Sequence, residues 1–168
     1  MYVRQILPSD EGSYRNILSR TTDEDRYCRF FHFVDHFDVS EIRRYVDLRD
    51  DTAGYIAFDG TEPLGSAHAI IVSPGVRELA VVVARESRGR GVASALLRVI
   101  VDDLKRRNDR ELIALSLPTN LAFVRLARSI GMKPKGSDGF AVTWSLDLVF
   151  SNTQGVRLEI EGASVHES

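Results

Sequence analysis

The chain has 168 residues, 43% hydrophobic and 27% charged, with a formal net charge of −2 and one cysteine, Cys28. This profile is typical of one soluble globular domain that buries roughly 70% of its unfolded surface and folds without a disulfide or a metal. The charge argues against a general nucleic-acid binder. No segment resembles a signal peptide or a membrane span, so we expect a cytoplasmic protein with no membrane partner.

Charge is distributed unevenly along the chain. Residues 85–110 hold eight arginines and lysines against four acidic residues, whereas residues 1–51 hold eight arginines against eleven acidic residues. The basic stretch therefore predicts a compact polyanion as the partner, rather than DNA.

The front of the chain predicts one strand and then helices. Weak alternation over residues 2–7 predicts a strand, and the following Pro-Ser-Asp begins a helix over about 9–20. Thr22 is a typical N-cap for a short helix through Phe31, and Asp38 or Ser40 for another that reaches Arg49.

Three short strands follow. Residues 53–58 end at Asp59-Gly60, a strong hairpin signal, and residues 64–73 form the returning strand. After a turn at Pro74-Gly75, residues 78–84 are nearly all apolar, which is typical of a strand covered on both faces. The short connections predict that these three strands are adjacent and antiparallel.

The second half alternates helices and strands. Apolar residues recur at helical spacing over 91–107, a strand is predicted over 112–117, and a helix over 120–130 ends at Gly131. The order predicts that strands 78–84 and 112–117 lie parallel, joined by a right-handed crossover.

The last segments are interpreted as terminal antiparallel strands over residues 140–149 and 156–160. Because no linker or repeat divides the chain, we expect one domain over residues 1–150 and a C-terminal extension over 151–168 that frays after about 161.

A glycine-rich turn, Arg88-Gly89-Arg90-Gly91-Val92-Ala93, separates the apolar strand from the long helix. Its glycines let the backbone approach a ligand, and the helix start favours an anion. The turn therefore predicts a phosphate cradle, although a plain solvated turn stays open. A Rossmann site fails because Ser94 replaces the third glycine, and a P-loop fails because no Gly-Lys-Ser/Thr follows.

This turn resembles the Q/R-x-x-G-x-G/A signature of the GNAT superfamily of acetyl-CoA-dependent N-acetyltransferases, at Arg88, Gly91 and Ala93. The resemblance covers about residues 2–148 and includes Asn120 before a helix and Gly131-Met132 in place of a final Gly-Phe. It implies an α/β GNAT fold, in which a mixed, mostly antiparallel sheet is splayed between the strands ending near 84 and 117, with helices on both faces.

The same resemblance implies acetyl-CoA as the cosubstrate and assigns its binding residues. The pyrophosphate would lie on the turn formed by Arg88, Gly89, Arg90, Gly91, Val92 and Ala93. The pantetheine arm would lie along the backbone of Val81, Val82 and Val83, where an N–H polarises the thioester carbonyl. Asn120 would add a polar contact, and a plain N-cap role is the alternative for this residue.

Two segments are similar to Pat-type bacterial protein lysine acetyltransferases. They are Arg26-Tyr27-Cys28-Arg29-Phe30-Phe31 and Arg77-Glu78-Leu79-Ala80-Val81-Val82-Val83. The strand glutamate of those enzymes is the general base, which implies that role for Glu78. A lysine ammonium has a pKa near 10.4, so it must lose a proton before it attacks a thioester. An ordinary strand-end charge, paired with Arg77 or Arg85, is the alternative.

Other chemically notable positions favour structural roles. Ala127 stands where many family members carry a tyrosine that protonates the departing thiolate, so the leaving-group acid stays unassigned. His32, His36 and His68 lack metal-ligand spacing, so no metal is expected. Cys28 is interpreted as a small buried hydrophobe. Four phenylalanines near this segment are expected in the core, namely Phe30, Phe31, Phe33 and Phe37. The loop over 32–38 is expected to border an acceptor cleft.

The sequence therefore favours an N-acetyltransferase that transfers an acetyl group to an amine, with a protein lysine as the first candidate. A small-molecule amine acetyltransferase and a non-catalytic acyl-CoA sensor stay open, and so do a monomer and a homodimer. Glu78 favours the enzyme, because a sensor needs only the phosphate cradle.

Overall fold

The structure is a computed structural model that describes residues 1–30, 38–48 and 52–149. Its strands are β1 (Tyr2–Gln5), β2 (Thr52–Asp59), β3 (Glu62–Ser73), β4 (Val76–Val83), β5 (Glu111–Ser116), β6 (Lys133–Ser137) and β7 (Val142–Asp147). Its helices are α1 (Glu11–Ser19), α2 (Asp23–Phe30), α3 (Val39–Val46), α4 (Val92–Arg106) and α5 (Leu121–Ser129). None of these helices is long and apolar enough to span a membrane.

All seven strands belong to one sheet, in the order β1-β2-β3-β4-β5-β7-β6. The β4–β5 pair is parallel and the other five pairs are antiparallel. This confirms the predicted adjacency of the three central strands and the parallel pair on either side of α4. The observed architecture is the predicted mixed, mostly antiparallel α/β fold.

The short helices at the front begin at caps. At α2, the N–H of Asp25 donates to Thr22 Oγ1 at 3.2 Å, and the N–H of Thr22 donates back to Asp25 Oδ2 at 2.8 Å. Asp38 caps α3 by accepting from the N–H groups of Ser40 and Glu41. The predicted caps Thr22 and Asp38 are thus confirmed. The predicted extension of the next helix to Arg49 is wrong, because α3 ends at Val46 and its C-cap Asp47 has left the helical conformation. The predicted end of α2 at Phe31 lies outside the described residues.

Each face of the sheet carries its own apolar core, which confirms helices on both faces. On the side that we call the α4 face, α4 and α5 pack on the sheet through buried residues that include Leu96, Ile100, Leu79, Leu112 and Ala127. On the opposite side, the α1 face, α1 and α3 pack through Tyr14, Ile17, Leu18, Ile42 and Ile56. Burial of one such large aliphatic side chain contributes about 1.5–3 kcal/mol.

Two features of the strands differ from the sequence prediction. β4 begins at Val76, so Glu78 is its third residue rather than its first. β6 was not predicted, because Lys-Pro-Lys-Gly-Ser lacks the β-branched and aromatic residues typical of strands; it is an exposed edge strand with an irregularity between Pro134 and Gly136. The strand expected over 156–160 lies outside the described residues.

The sheet opens between β4 and β5. Their pairing runs from Val76 and Glu111 to Leu79 and Ala114, and β4 then continues to Val83 and β5 to Ser116. The predicted splay is therefore present, and it begins directly after Leu79.

At the open end of β5, a buried hydrogen bond holds β7 against the sheet. The indole N–H of Trp144 donates to Ser116 Oγ at 2.9 Å, and only 3% of Trp144 is exposed. The last residue of β5 is thus fixed from the β7 side, opposite to the opening.

Candidate functional site

The glycine-rich turn connects β4 to α4 and exposes its backbone. Gly89 has φ +72° and Gly91, the N-cap of α4, has φ +78°, which is the left-handed region that glycine adopts without strain. A Cβ built on either residue would meet no atom within 4 Å. The first N–H groups of a helix lack acceptors within the helix, so those at the start of α4 are available to the phosphates of a ligand that approaches the turn.

Both arginines of the turn bind carboxylates of neighbouring elements. Arg88 Nη2 lies 2.5 Å from Asp25 Oδ2 in the first turn of α2, and Arg90 Nη2 lies 2.6 Å from Asp59 Oδ2 at the end of β2. The arginine side chains are nevertheless 45% and 48% exposed. They are therefore accessible to an anion, but their charge is already partly compensated.

The pKa values of both carboxylates lie below the ordinary value of aspartate. Burial acts to raise the pKa of Asp25, but hydrogen bonds from Arg88 and Thr22 act against it, so the pKa lies below its ordinary value. The hydrogen bond from Arg90 lowers the pKa of Asp59. Both carboxylates are thus ionised near neutral pH, and they form ion pairs with the arginines in this state.

The predicted pantetheine strand, Val81 to Val83, lies where β4 has separated from β5. Val81 and Val83 pack on the α4 face and Val82 packs on the α1 face, and all three side chains are half-buried. The backbone edge that turns toward β5 continues past the last residue of the pairing, Leu79. This edge has the geometry that an extended ligand needs in order to add to the sheet.

Glu78 lies on the α1 face, one residue before the sheet opens. Its register partners are Ile70 on β3 and Ile113 on β5. The side chain is half-buried, and none of the described residues forms an ion pair or hydrogen bond with its carboxylate. The structure thus does not pair Glu78 with Arg77, which lies on the opposite face and binds Asp109.

Asn120 has the structural role that was its alternative explanation. Its Oδ1 accepts a hydrogen bond from the N–H of Phe123 at 3.1 Å, which caps α5. The amide nitrogen of the same side chain is a further donor that the cap does not need. Ala127, on the same helix, is buried and offers no hydroxyl.

The remaining candidates do not form a second site within the described residues. His68 is 1% exposed, and its Nε2 donates to the Tyr45 carbonyl at 2.8 Å, so it is a core histidine. No group of three or more histidine, cysteine, aspartate or glutamate residues in the described ranges lies close enough to bind a metal. His32, His36 and the side chain of Cys28 lie outside what the structure describes.

Sequence reasoning missed two partners of the turn, Asp25 and Asp59. Each has a sufficient local explanation, since Asp25 belongs to a helix cap and Asp59 to a hairpin. Asp25 is also distant in sequence from Arg88. A local pattern carries no signal for such a pair.

Comparisons with known proteins concern the family and the fold. Residues 15–132 match the family model described as Acetyltransferase (GNAT) family. The structure is similar to the GNAT domain of S. lividans PAT, with 27% identity, a TM-score of 0.81, and coverage of 86% of this chain and 89% of that chain.

Two more distant solved structures share the fold. A ribosomal-protein-alanine N-acetyltransferase from Brucella melitensis has 20% identity and a TM-score of 0.68, and the match covers 88% of this chain and 99% of that one. A phosphinothricin acetyltransferase from Sinorhizobium meliloti, solved in complex with AcCoA, has 17% identity and a TM-score of 0.73, with 87% of each chain covered. At these identities the likeness concerns the fold alone.

Proposed function

Because the chain belongs to the acetyltransferase (GNAT) family, we propose that it transfers the acetyl group of acetyl-CoA to a protein lysine, with Glu78 as the general base. Membership of the family makes it an acyltransferase that uses acetyl-CoA. The observation that carries the finer proposal is the position of Glu78, a half-buried carboxylate with no partner among the described residues, directly before the opening of the sheet.

The open backbone of the turn supports its role in binding acetyl-CoA. The pyrophosphate lies over Gly89 and Gly91, within reach of the N–H groups of Val92 and Ala93. Arg88 and Arg90 stand at its sides, where their exposed guanidinium groups bind phosphate oxygens or remain with Asp25 and Asp59. Most of the binding therefore comes from the backbone, since the arginines lose one ion pair when they gain another.

The opening between β4 and β5 supports binding of the pantetheine arm along Val81 to Val83. A backbone N–H of this edge donates to the thioester oxygen and stabilises the negative charge that develops there. The free amide nitrogen of Asn120 donates to the pantetheine arm from the start of α5. Acetyl-CoA supplies the activated acetyl group, and its thiolate is the leaving group.

Glu78 makes the acceptor nucleophilic. It accepts a proton from the lysine ammonium, directly or through one water, and the neutral amine then attacks the thioester carbonyl. A bond forms between nitrogen and the carbonyl carbon, and the bond between carbon and sulfur breaks. The attacking nitrogen then loses its second proton to solvent to give the amide. Because Ala127 carries no hydroxyl, the departing thiolate also takes its proton from solvent.

Two similarities support a protein lysine as the acceptor. The first is the likeness of the strand Arg77-Glu78-Leu79-Ala80-Val81-Val82-Val83 to the Pat-type pattern. The second is the match to the GNAT domain of S. lividans PAT, whose identity of 27% exceeds that of the two other structures described above.

Replacing Glu78 with glutamine tests the proposal, because glutamine keeps the size and the hydrogen bonding but accepts no proton. We expect kcat/KM for the acceptor to fall roughly 10²- to 10⁴-fold near neutral pH, with unchanged acetyl-CoA affinity. The loss should shrink at high pH, where more of the amine arrives deprotonated. Thiol release is measured across a panel of proteins and small amines.

Glu111→Gln is the matched control. Glu111 lies on β5, on the same face of the sheet as Glu78. Its carboxylate accepts hydrogen bonds from Lys135 and Ser145 at 2.6 Å each, so it is not available as a base, and Glu111→Gln should change kcat/KM by less than about twofold. Full activity of Glu78→Gln at pH 7 would remove Glu78 as the base. Activity confined to small amines would show that the acceptor is a small molecule rather than a protein lysine. Binding of acetyl-CoA without any turnover would favour a sensor.

A further inference from the structure

We infer that Ile70 and Ile113 are specificity-determining residues that line the approach of the acceptor to Glu78 and select an amine on an aliphatic stem. We call this pair the isoleucine walls. The inference rests on the proposed role of Glu78 and goes beyond it, since it concerns what lies next to the reacting nitrogen rather than how the nitrogen loses its proton.

The register of three strands places the walls on either side of the carboxylate. Ile70 on β3 and Ile113 on β5 are both Cα partners of Glu78, and register partners in adjacent strands point to the same face. Neighbouring strands lie about 4.8 Å apart, so each isoleucine is next to Glu78 on the α1 face. The carboxylate is therefore flanked by branched aliphatic side chains.

Exposure along β3 shows how far the described helices α1 and α3 cover the α1 face. Ser66 and His68, which lie on the same face, are 0% and 1% exposed, whereas Ile70 is 41% exposed. Ile113 is half-buried, and Leu115, the next residue of β5 on this face, is 37% exposed. An apolar strip that includes both walls is thus accessible beside Glu78, at the place where the sheet opens.

This combination of surfaces fits one kind of acceptor. An ammonium group at the end of a methylene chain brings its charge to Glu78 and its methylenes to the isoleucines. An amine with a polar or charged group close to it would bury that group against the walls without a hydrogen bond, which is unfavourable. Because β-branched side chains such as isoleucine are stiff at χ1, the walls do not rearrange to accommodate a polar group.

A homologous series of acceptors tests the walls. The probes are the Nα-acetyl N-methylamides of lysine, ornithine and 2,4-diaminobutyrate, whose amines stand on four, three and two methylenes. For the wild-type protein we expect kcat/KM to rise about three- to fourfold for each added methylene, as burial of a methylene predicts. Ile70→Thr and Ile113→Thr keep the branch at Cβ but lose the terminal methyl group and carry a hydroxyl, so each should reduce this increment, with an unchanged KM for acetyl-CoA.

Ile71→Thr is the control for the walls. Ile71 is the neighbour of Ile70 and is 38% exposed, but it pairs with Arg77 on the α4 face. It should keep the full increment per methylene. Thermal melting of all three variants separates a loss of folded protein, which lowers every rate alike, from a change of the increment.

The outcomes separate this inference from the proposed function. If both wall variants keep the full rise in kcat/KM per methylene, the specificity role of the walls is wrong, even when Glu78→Gln is inactive. So would a wild-type protein that releases thiol with protein acceptors but not with the lysine probe at millimolar concentration. Full activity of Glu78→Gln would instead contradict the proposed base, and acetyl-CoA binding measured by calorimetry tests the cosubstrate site independently of both.

Discussion

The two ends of β4 carry the same kind of ion pair in opposite settings. At the start of the strand, Arg77 Nε lies 2.6 Å from Asp109 Oδ2, and the side chains are 8% and 7% exposed. After its end, Arg88 lies 2.5 Å from Asp25, with side-chain exposures of 45% and 22%. The first pair lies where β4 is bound to β5, and the second where the strands have separated.

This difference shows how one strand serves both stability and binding. A buried ion pair is costly to break, because a charge is left behind in a poorly solvated place, whereas water or another anion replaces an exposed partner at little cost. The paired end therefore holds β4 in the sheet. The open end keeps groups that a ligand is able to recruit.

The largest expected effect comes from breaking the closed end. Asp109→Ala leaves the Arg77 guanidinium buried without this carboxylate, so we expect the free energy of unfolding to fall by about 3–5 kcal/mol. Urea denaturation followed by circular dichroism measures the change. A loss under about 1 kcal/mol would show that the closed end does not depend on this pair.

An intermediate effect is expected from filling the open end. Gly91→Val places a branched side chain over the turn and strains a residue with φ +78°, so acetyl-CoA affinity should fall by at least about 2 kcal/mol, roughly thirtyfold. Calorimetric titration with acetyl-CoA measures it.

Gly139→Val is the matched control for this change. Gly139 has φ +88° and no atom within 4 Å of a built Cβ, but it lies in the loop between β6 and β7. The two variants share the strain and differ in position. Equal acetyl-CoA affinity in both would remove the turn from the binding site.

The smallest effect is expected from the exposed pair itself. Asp25→Asn should lower the free energy of unfolding by less than about 1 kcal/mol, because Arg88 regains water. The folded-state pKa of Asp25 lies below the ordinary 3.8, so the stabilisation is complete above that value and is lost as the pH falls through the folded pKa.

The pH dependence is measured as a difference between the two proteins. Wild type and Asp25→Asn are compared by urea denaturation at pH 7 and at pH 3. The difference in stability should be smaller at pH 3. A difference that grows on acidification would contradict the lowered pKa.

Local signals account for most of what the sequence predicts correctly. The hairpin at Asp59-Gly60 and the apolar stripe of α4 are properties of a few neighbouring residues, and both match the structure. The glycines of the turn are also local, since their positive φ angles are a backbone requirement. These patterns place the glycine-rich turn and the strand before it without knowledge of the rest of the molecule.

The features that escaped prediction depend on distant parts of the chain. β6 becomes a strand because β7 offers it an edge, although Lys133 to Ser137 have little strand propensity of their own. The bond between Arg88 and Asp25 requires α2 to lie against the turn. The exposure of Ile70 depends on where the helical layer of the α1 face ends, which no pattern in β3 itself indicates.

The hydrogen bond between Trp144 and Ser116 also provides an optical reporter. The chain contains one tryptophan, so its intrinsic fluorescence has a single source. Its indole is buried and bound to the last residue of β5, on the border of the opening between β4 and β5. The emission maximum of the unlabelled protein should therefore be blue-shifted, and its intensity reports movement of that border during a stopped-flow experiment.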